Sequence, residues 1–245
     1  MTLERILEPE VMDSPREAQE YNDMDHSEVN QRFVSEMLSF LETDEWFANR
    51  LDTETDGVEE STYLDALDVG TGTALIPIEL CERHAEFRVM AIDMAISMLE
   101  LARYNIASSV AGHRIELGQV DAKTMGYDTD AFDLVMSNSI IHHIPEPVEC
   151  VEQMVRVVRP GGAIFIRDLM RPTDAETLDQ IVQTYAGHES EYSRKLFRDS
   201  LHASLSLEEM RALAVKFGFA AETVLATSDR HWTWAAIVPE IESDA

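Results

Sequence analysis

The chain has 245 residues, and 19 basic against 47 acidic side chains leave a formal net charge of −28. That length suits one large domain or two small ones, and 45% hydrophobic with 27% charged residues is a globular composition, not a fibrous, coiled-coil or disordered one. So acidic a chain repels a phosphate backbone or an anionic bilayer, and no basic patch relieves it, so no nucleic acid and no membrane is expected as a partner.

Cys81 and Cys150 are far apart in sequence, which argues against a disulfide scaffold or a thiolate zinc site. Met1 to Glu10 lack the apolar stretch of a signal peptide, and no apolar run approaches the roughly 18 residues of a membrane span, so a cytoplasmic location is expected.

Residues Arg16 to Arg50 read as helical, because Val29, Phe33, Met37, Leu38 and Leu41 recur at three- and four-residue steps. Asp52 to Ser61 is acidic, polar and carries Gly57, a linker composition. Residues 1–61 are therefore expected as an N-terminal helical segment covering the site, and 62–245 as the main domain. From Tyr63 onward the pattern predicts strands at Leu64–Val69, Phe87–Ile92, Ile115–Val120, Phe132–Met136, Ala163–Ile166, Thr223–Ala226 and Trp232–Val238. Helices are predicted between the first five, at Leu75–His84, Ser97–Ser109, a short one near Lys123, and Val148–Val158, with Pro160-Gly161-Gly162 ending the last of these. Residues 173–205 carry two helix candidates and no strand, the pattern of a helical lid inserted after strand five. Ser206 with Glu209 forms a capping box, and Gly218 stops the helix that it starts. The expected fold is α/β: a Rossmann-like, doubly wound seven-stranded sheet whose last strand is antiparallel, entered through a hairpin at Thr227–Arg230.

Open α/β sheets bind ligands beyond the carboxyl ends of their strands, so the residues after each strand carry the information. After the first comes Asp68-Val69-Gly70-Thr71-Gly72-Thr73-Ala74, whose glycines permit a tight turn and close approach of a ligand. A nicotinamide or flavin fingerprint needs a glycine where Leu75 stands, and the GK[ST] of a phosphate loop is absent. An acid two residues before the first glycine suits a ligand amino group. Asp93 after the second strand can accept from both hydroxyls of a ribose, or can be no more than a solvated acid at a strand end. Asp121-Ala122 after the third could accept from an adenine amine.

The set Leu67-Asp68-Val69-Gly70-Thr71-Gly72, Ala91-Ile92-Asp93-Met94, Val120-Asp121-Ala122, Phe132-Asp133-Leu134-Val135 and Arg159-Pro160-Gly161-Gly162 resembles the class I S-adenosylmethionine-dependent methyltransferases, over roughly Leu64 to Val238. Within them it looks closest to the small-molecule branch that includes quinone-ring and glycine methyltransferases. The resemblance implies S-adenosylmethionine as cofactor and S-adenosylhomocysteine as product. Gly70, Thr71 and Gly72 would lie under the methionine part with Asp68 near its ammonium. Asp93 would hold the ribose, Met94 would cover an adenine face, and Asp121 with Ala122 would meet the adenine amine. Ala74 departs from the family, where many members carry a third glycine; a methyl group is expected to be tolerated there if the position packs helix on sheet.

The segment after the fourth strand, Ser137-Asn138-Ser139-Ile140-Ile141-His142-His143-Ile144-Pro145, passes beside the transferable methyl in related methyltransferases. Asn138 is placed for cofactor or acceptor. His142, by resemblance to the glycine methyltransferases, faces the acceptor as a proton acceptor; the alternative for both histidines is capping a turn before Pro145. Asp168 could orient an amine, a hydroxyl or the histidine, or could pair structurally with Arg167 or Arg171. Tyr21 and His26 could close over the cofactor. Trp232 and Trp234 read as packing residues. No metal-ligand cluster with sensible spacing appears, so no metal is expected. The expected partner is a small-molecule methyl acceptor, a homodimer being the one assembly allowed for. Two other readings are an RNA or protein acceptor, disfavoured by charge and by the lack of a recognition domain, and a non-catalytic cofactor-binding subunit.

Overall fold

The computed structural model describes residues 3–8, 13, 15–22, 27–43, 46–51 and 63–240. Three helices come first, α1 (Pro15–Asn22), α2 (Ser27–Thr43) and α3 (Trp46–Leu51), where the sequence pattern predicts one helical stretch. Then follow β1 (Leu64–Val69), α4 (Leu75–Arg83), β2 (Phe87–Asp93), α5 (Ile96–Ser108), β3 (Ile115–Gln119), β4 (Phe132–Asn138) and α6 (Pro147–Val157). The chain continues through β5 (Val158–Leu169), α7 (Ala175–Ala186), α8 (Glu191–Ala203), α9 (Leu207–Lys216), β6 (Val224–Ala226) and β7 (His231–Ile237). The strands form one seven-stranded sheet in the order β3-β2-β1-β4-β5-β7-β6. β1 to β5 are mutually parallel, and β7 runs antiparallel to both β5 and β6, so the reversed last strand is as expected.

Alternation along the strands sends side chains to two apolar layers. Leu67, Val69, Val135, Ile164, Ile166, Trp232 and Trp234 pack on one face with α6 and α9, whose buried residues include Val151, Met154 and Met210. Ala66, Val89, Leu134, Met136 and Phe165 face the other layer, where α2 contributes Phe33, Val34, Met37, Leu38 and Leu41. Those five α2 side chains are all buried, a gross hydrophobic contribution on the order of 10 kcal/mol before chain entropy is counted. α2 is thus a structural layer helix, packed beside α4 with the Phe33 ring edge-on to Phe165. α3 ties down the opposite end of the sheet from the GxG loop. The Trp46 indole donates to the Gly161 carbonyl, and Arg50 donates to Asp133 (2.8 Å) and to the Pro160 carbonyl.

Two sequence expectations change. Near Lys123 there is no helix but a turn, in which the Thr124 amide donates to the Asp121 carbonyl and the Lys123 amide to the Asp121 carboxylate. An acid whose side chain satisfies the backbone two residues on favours such a turn over a helix. Pro160-Gly161-Gly162 does not terminate α6, which ends at Val157; it forms a bulge inside β5, whose pairing with β4 jumps from Phe132↔Val158 to Leu134↔Ala163. Gly161, at φ +70°, takes the left-handed conformation that the bulge needs.

After β5 the two lid helices α7 and α8 bury Leu178, Ile181, Val182 and Leu201 against Leu169. Asp174 and Ser190 cap them by accepting from Thr177 and Ser193 amides. α9 begins with the reciprocal Ser206–Glu209 capping box.

Candidate functional site

The β1 carboxyl end turns through Gly70 and Gly72, both at positive φ, into α4. A side chain at Gly70 is excluded twice over: its φ is +76°, and an added Cβ would lie 2.0 Å from Ile140 Cγ2. The GxG loop is therefore fitted against the segment that leads to His142. Ala74 also sits at positive φ, 61°, so the third glycine of related sequences answers a backbone requirement, not only helix-on-sheet packing. Holding alanine there costs about 1–2 kcal/mol, an amount comparable to the burial of its methyl and the lower chain entropy of alanine.

Asp93 at the end of β2 anchors this loop. One carboxylate oxygen accepts from the Gly72 amide and the other from the Ala95 amide, each at 2.8 Å. Burial raises its pKa, against those backbone donors and nearby His143, which lower it. Asp68 is buried more completely, and burial lifts its carboxyl to about 7; neighbouring Thr71 opposes the rise, and the charge of Asp93 adds to it. Two acids held close beside this loop make surroundings that favour a cation. Met94 is half exposed at the adjoining rim. Asp121 lies beyond the end of β3, its carboxylate 3.2 Å from Lys123 Nζ, with Ala122 beside it.

On the acceptor side, β4 ends at Asn138, and a 3-10 turn over Ile141–His143 carries both histidines. His142 is buried, with Nδ1 2.5 Å from Asp168 Oδ1. Asp168 Oδ2 also accepts from the Ile141 amide at 2.5 Å and the His142 amide at 3.3 Å. The alternative partners of Asp168 are engaged elsewhere. Arg167 reaches Glu36 on α2 and donates to Thr233, and Arg171 donates to Glu209 and the Ser204 carbonyl. Burial pushes the His142 pKa down, but the adjacent Asp168 charge and hydrogen bond, with Glu8, hold it above its ordinary value. For Asp168 burial works upward, and His142 outweighs it to leave the carboxyl lowered.

Two residues that the sequence pattern did not single out complete this wall. The extended segment 3–8 crosses the carboxyl ends of the strands, its Leu3 and Ile6 amides donating to Thr173 and His202 carbonyls beside the lid. Arg5 donates to the carbonyls of Ile144, Pro145 and Ala203, tying the histidine segment to the end of α8. Glu8 places Oε1 3.0 Å from His143 Nδ1 and 3.6 Å from His142 Nε2. Tyr21 lies on α1, which packs against α5, but its side chain and the whole of His26 fall outside the described residues. Trp232 and Trp234 are fully buried, as expected of packing residues, and no described helix is long and apolar enough to cross a membrane.

The residues present suit S-adenosylmethionine: a loop of two glycines at positive φ, a buried acid just before it, and a second acid at the end of β2 that holds the loop. A family model described as a methyltransferase domain matches residues 61–214. The chain belongs to the class I S-adenosylmethionine-dependent methyltransferases. Among curated relatives of this methyltransferase, demethylmenaquinone methyltransferase of Desulfitobacterium hafniense is 31% identical over 117 residues, covering 47% of this chain and 46% of that protein. The chloroplastic tocopherol O-methyltransferase of Arabidopsis thaliana is 26% identical over 184 residues, covering 70% of this chain and 49% of that protein. The chain thus spans about half the length of these curated relatives. A solved methyltransferase from Aquifex aeolicus shares the fold, with a TM-score of 0.59 at 16% identity over 92% of this chain and 98% of that one.

Proposed function

We propose that this methyltransferase transfers the methyl group of S-adenosylmethionine to a small-molecule acceptor (EC 2.1.1.-) bound between the His142 segment and the lid. The observation that carries the reading is the convergence of Asp68 and Asp93 on the positive-φ loop at Gly70 and Gly72, with His142 on the turn after β4 paired to Asp168 near the end of β5. Asp68 meets the ammonium of the methionine part, which Gly70, Thr71 and Gly72 underlie. Asp93 takes the ribose hydroxyls while it holds Gly72. Met94 covers the adenine, and Asp121 with Ala122 meets its amine. Asn138 borders cofactor and acceptor.

The cofactor supplies a methyl group on a positively charged sulfur. The chain's own residues position the acceptor, exclude water and accept a proton. Because Nδ1 of His142 is held by Asp168, Nε2 is the ring nitrogen that faces the acceptor's proton. Asp168 orients the imidazole and stabilises its charged form, a positioning role. α7, α8 and segment 3–8 shield the reacting atoms, which strengthens every electrostatic contact there. The names of the relatives, which act on demethylmenaquinone and tocopherol, support an acceptor with a ring hydroxyl or an activated ring carbon.

Calorimetric titration with S-adenosylmethionine, S-adenosylhomocysteine and NAD tests the reading. Binding of both adenosyl ligands and not NAD, weakened about ten- to a hundredfold in Asp93→Ala, is the expected result. NAD binding alone, or no binding, would overturn it.

A further inference from the structure

Glu8, His142 and His143 bring one carboxylate oxygen and two imidazole nitrogens within 4.8 Å of one another. We infer that these three side chains form a site for a divalent transition-metal cation of the zinc type, placed to bind the acceptor oxygen in the site proposed above. The inference rests on that reading only for what the cation would do.

The geometry suits a metal better than a network of hydrogen bonds. Glu8 Oε1 and His143 Nδ1 are both buried and 3.0 Å apart, yet neither makes a hydrogen bond. Buried polar atoms left in this way are costly, about 1–3 kcal/mol each. Glu8 is directed inward because its other oxygen accepts from Ser200 Oγ at 3.2 Å. His142 is held through Nδ1 by Asp168, which leaves Nε2 free to donate its lone pair, 3.6 Å from Glu8 Oε1. A carboxylate behind a ligating histidine is the usual outer partner of a zinc ligand, fixing both tautomer and ring orientation. Ligand bonds of about 2.0–2.1 Å in a tetrahedron place ligand atoms about 3.4 Å apart, and both Glu8 distances fall on either side of that value.

Two imidazoles with one carboxylate select a zinc-type ion over magnesium or calcium, which prefer oxygen donors throughout. Three protein ligands leave a fourth position open, the arrangement of a catalytic rather than a structural zinc site. The local charge also fits, since Glu8 and Asp168 bring two negative charges and Arg5, committed to three carbonyls, one positive. An acceptor hydroxyl entering the open position would release its proton to water on coordination. Its oxygen would then bond to the methyl carbon, while the carbon–sulfur bond breaks and its electron pair passes to sulfur. With the cation bound, Nε2 is a ligand, and coordination replaces the imidazole in ionising the acceptor.

The test is titration of the chelator-stripped full chain with Co²⁺, followed by visible absorption and equilibrium dialysis. One Co²⁺ per chain is expected, with the intense d–d bands of low coordination number. Loss of an outer-shell partner alone typically weakens a metal site 10- to 100-fold, so Glu8→Gln and His143→Ala should each weaken Co²⁺ binding by about tenfold or more. S-adenosylmethionine affinity and the melting midpoint serve as controls, and His143→Ala decides if Glu8→Gln unfolds. No stoichiometric binding, or binding untouched by both substitutions as an acidic surface collecting cations would give, overturns the site. If the cofactor binds and Co²⁺ does not, only this inference fails; if the cofactor itself does not bind, the proposed function fails.

Discussion

His142 and Asp168 are joined twice, ring nitrogen to Oδ1 at 2.5 Å and main-chain amide to Oδ2 at 3.3 Å. The second contact fixes where the histidine sits, and the first fixes which nitrogen it presents. Asp168→Asn keeps the shape but removes the charge, so burial is left as the main influence on the imidazole and lowers its pKa. A base must be neutral to act. The acid limb of kcat/KM in the parent should therefore lie above the ordinary histidine value of 6.5 and move down in Asp168→Asn. Turnover should fall by about 100-fold with cofactor affinity nearly intact. A pH–rate profile measured with chelator present checks both; an unmoved acid limb would remove His142 as the titrating group.

Asp68 predicts a second pH dependence, of opposite character. Its folded pKa, about 7, is raised above the unfolded value, so its contribution to stability is present below about pH 4 and is lost as pH rises through 7. Asp68→Asn should accordingly gain stability relative to the parent in going from pH 5 to pH 8, in the absence of cofactor. The same ionisation should favour the cationic ligand, so parent affinity for S-adenosylmethionine rises from pH 5 to 7 and then levels. Calorimetry in buffers of different ionisation enthalpy should detect proton release at pH 6, and equal heats would contradict the role.

Gly70 and Ile140 form a coupled pair. In Gly70→Ala the new methyl meets Ile140 Cγ2 at 2.0 Å from a left-handed backbone. Strain and overpacking together should cost about 2–4 kcal/mol. Ile140→Ala added to it should recover the packing part and not the backbone part. A double-mutant cycle on denaturation midpoints should give a coupling above about 0.5 kcal/mol; strict additivity would mean that the loop and the histidine segment do not support each other.

Arg5 joins the ends of three segments, so its loss should act on the acceptor side alone. Arg5→Ala leaves the carbonyls of Ile144, Pro145 and Ala203 without this donor, and a destabilisation of about 2–3 kcal/mol is expected. Acceptor KM should rise while the cofactor dissociation constant stays within about twofold. Cofactor binding that weakens in step would place Arg5's influence on the wrong side of the site.

The fold was legible because strand and helix periods alternate from Leu64 onward and each strand end carries its own marker. Asp68, Gly70, Gly72 and Asp93 are read within a few residues of a strand, so local pattern suffices for them. The His142–Asp168 contact was one of several options open to Asp168, and only packing, which sends Arg167 to Glu36 and Arg171 to Glu209, selects it. Glu8 was invisible for a different reason. It lies on an unpatterned segment far from both histidines in the chain, and no spacing rule reaches across such a separation. The bulge at Gly161 was misread because a proline–glycine pair after a helix looks like a stop, while the strand resumes through it.

That bulge has a reach beyond its own position. Between Phe132 and Leu134 on β4, β5 advances from Val158 to Ala163, three residues more than its neighbour. Side chains alternate from one face of a strand to the other, so an odd excess reverses the parity of everything downstream. It is this parity that turns Asp168 toward His142 and sends Arg167 to α2 on the opposite face. A loop about 20 Å from the reacting atoms thus acts as a counting device for them: removing one glycine from it would bring Leu169 to the place beside the imidazole and turn Asp168 toward α2, without altering a single residue of the site.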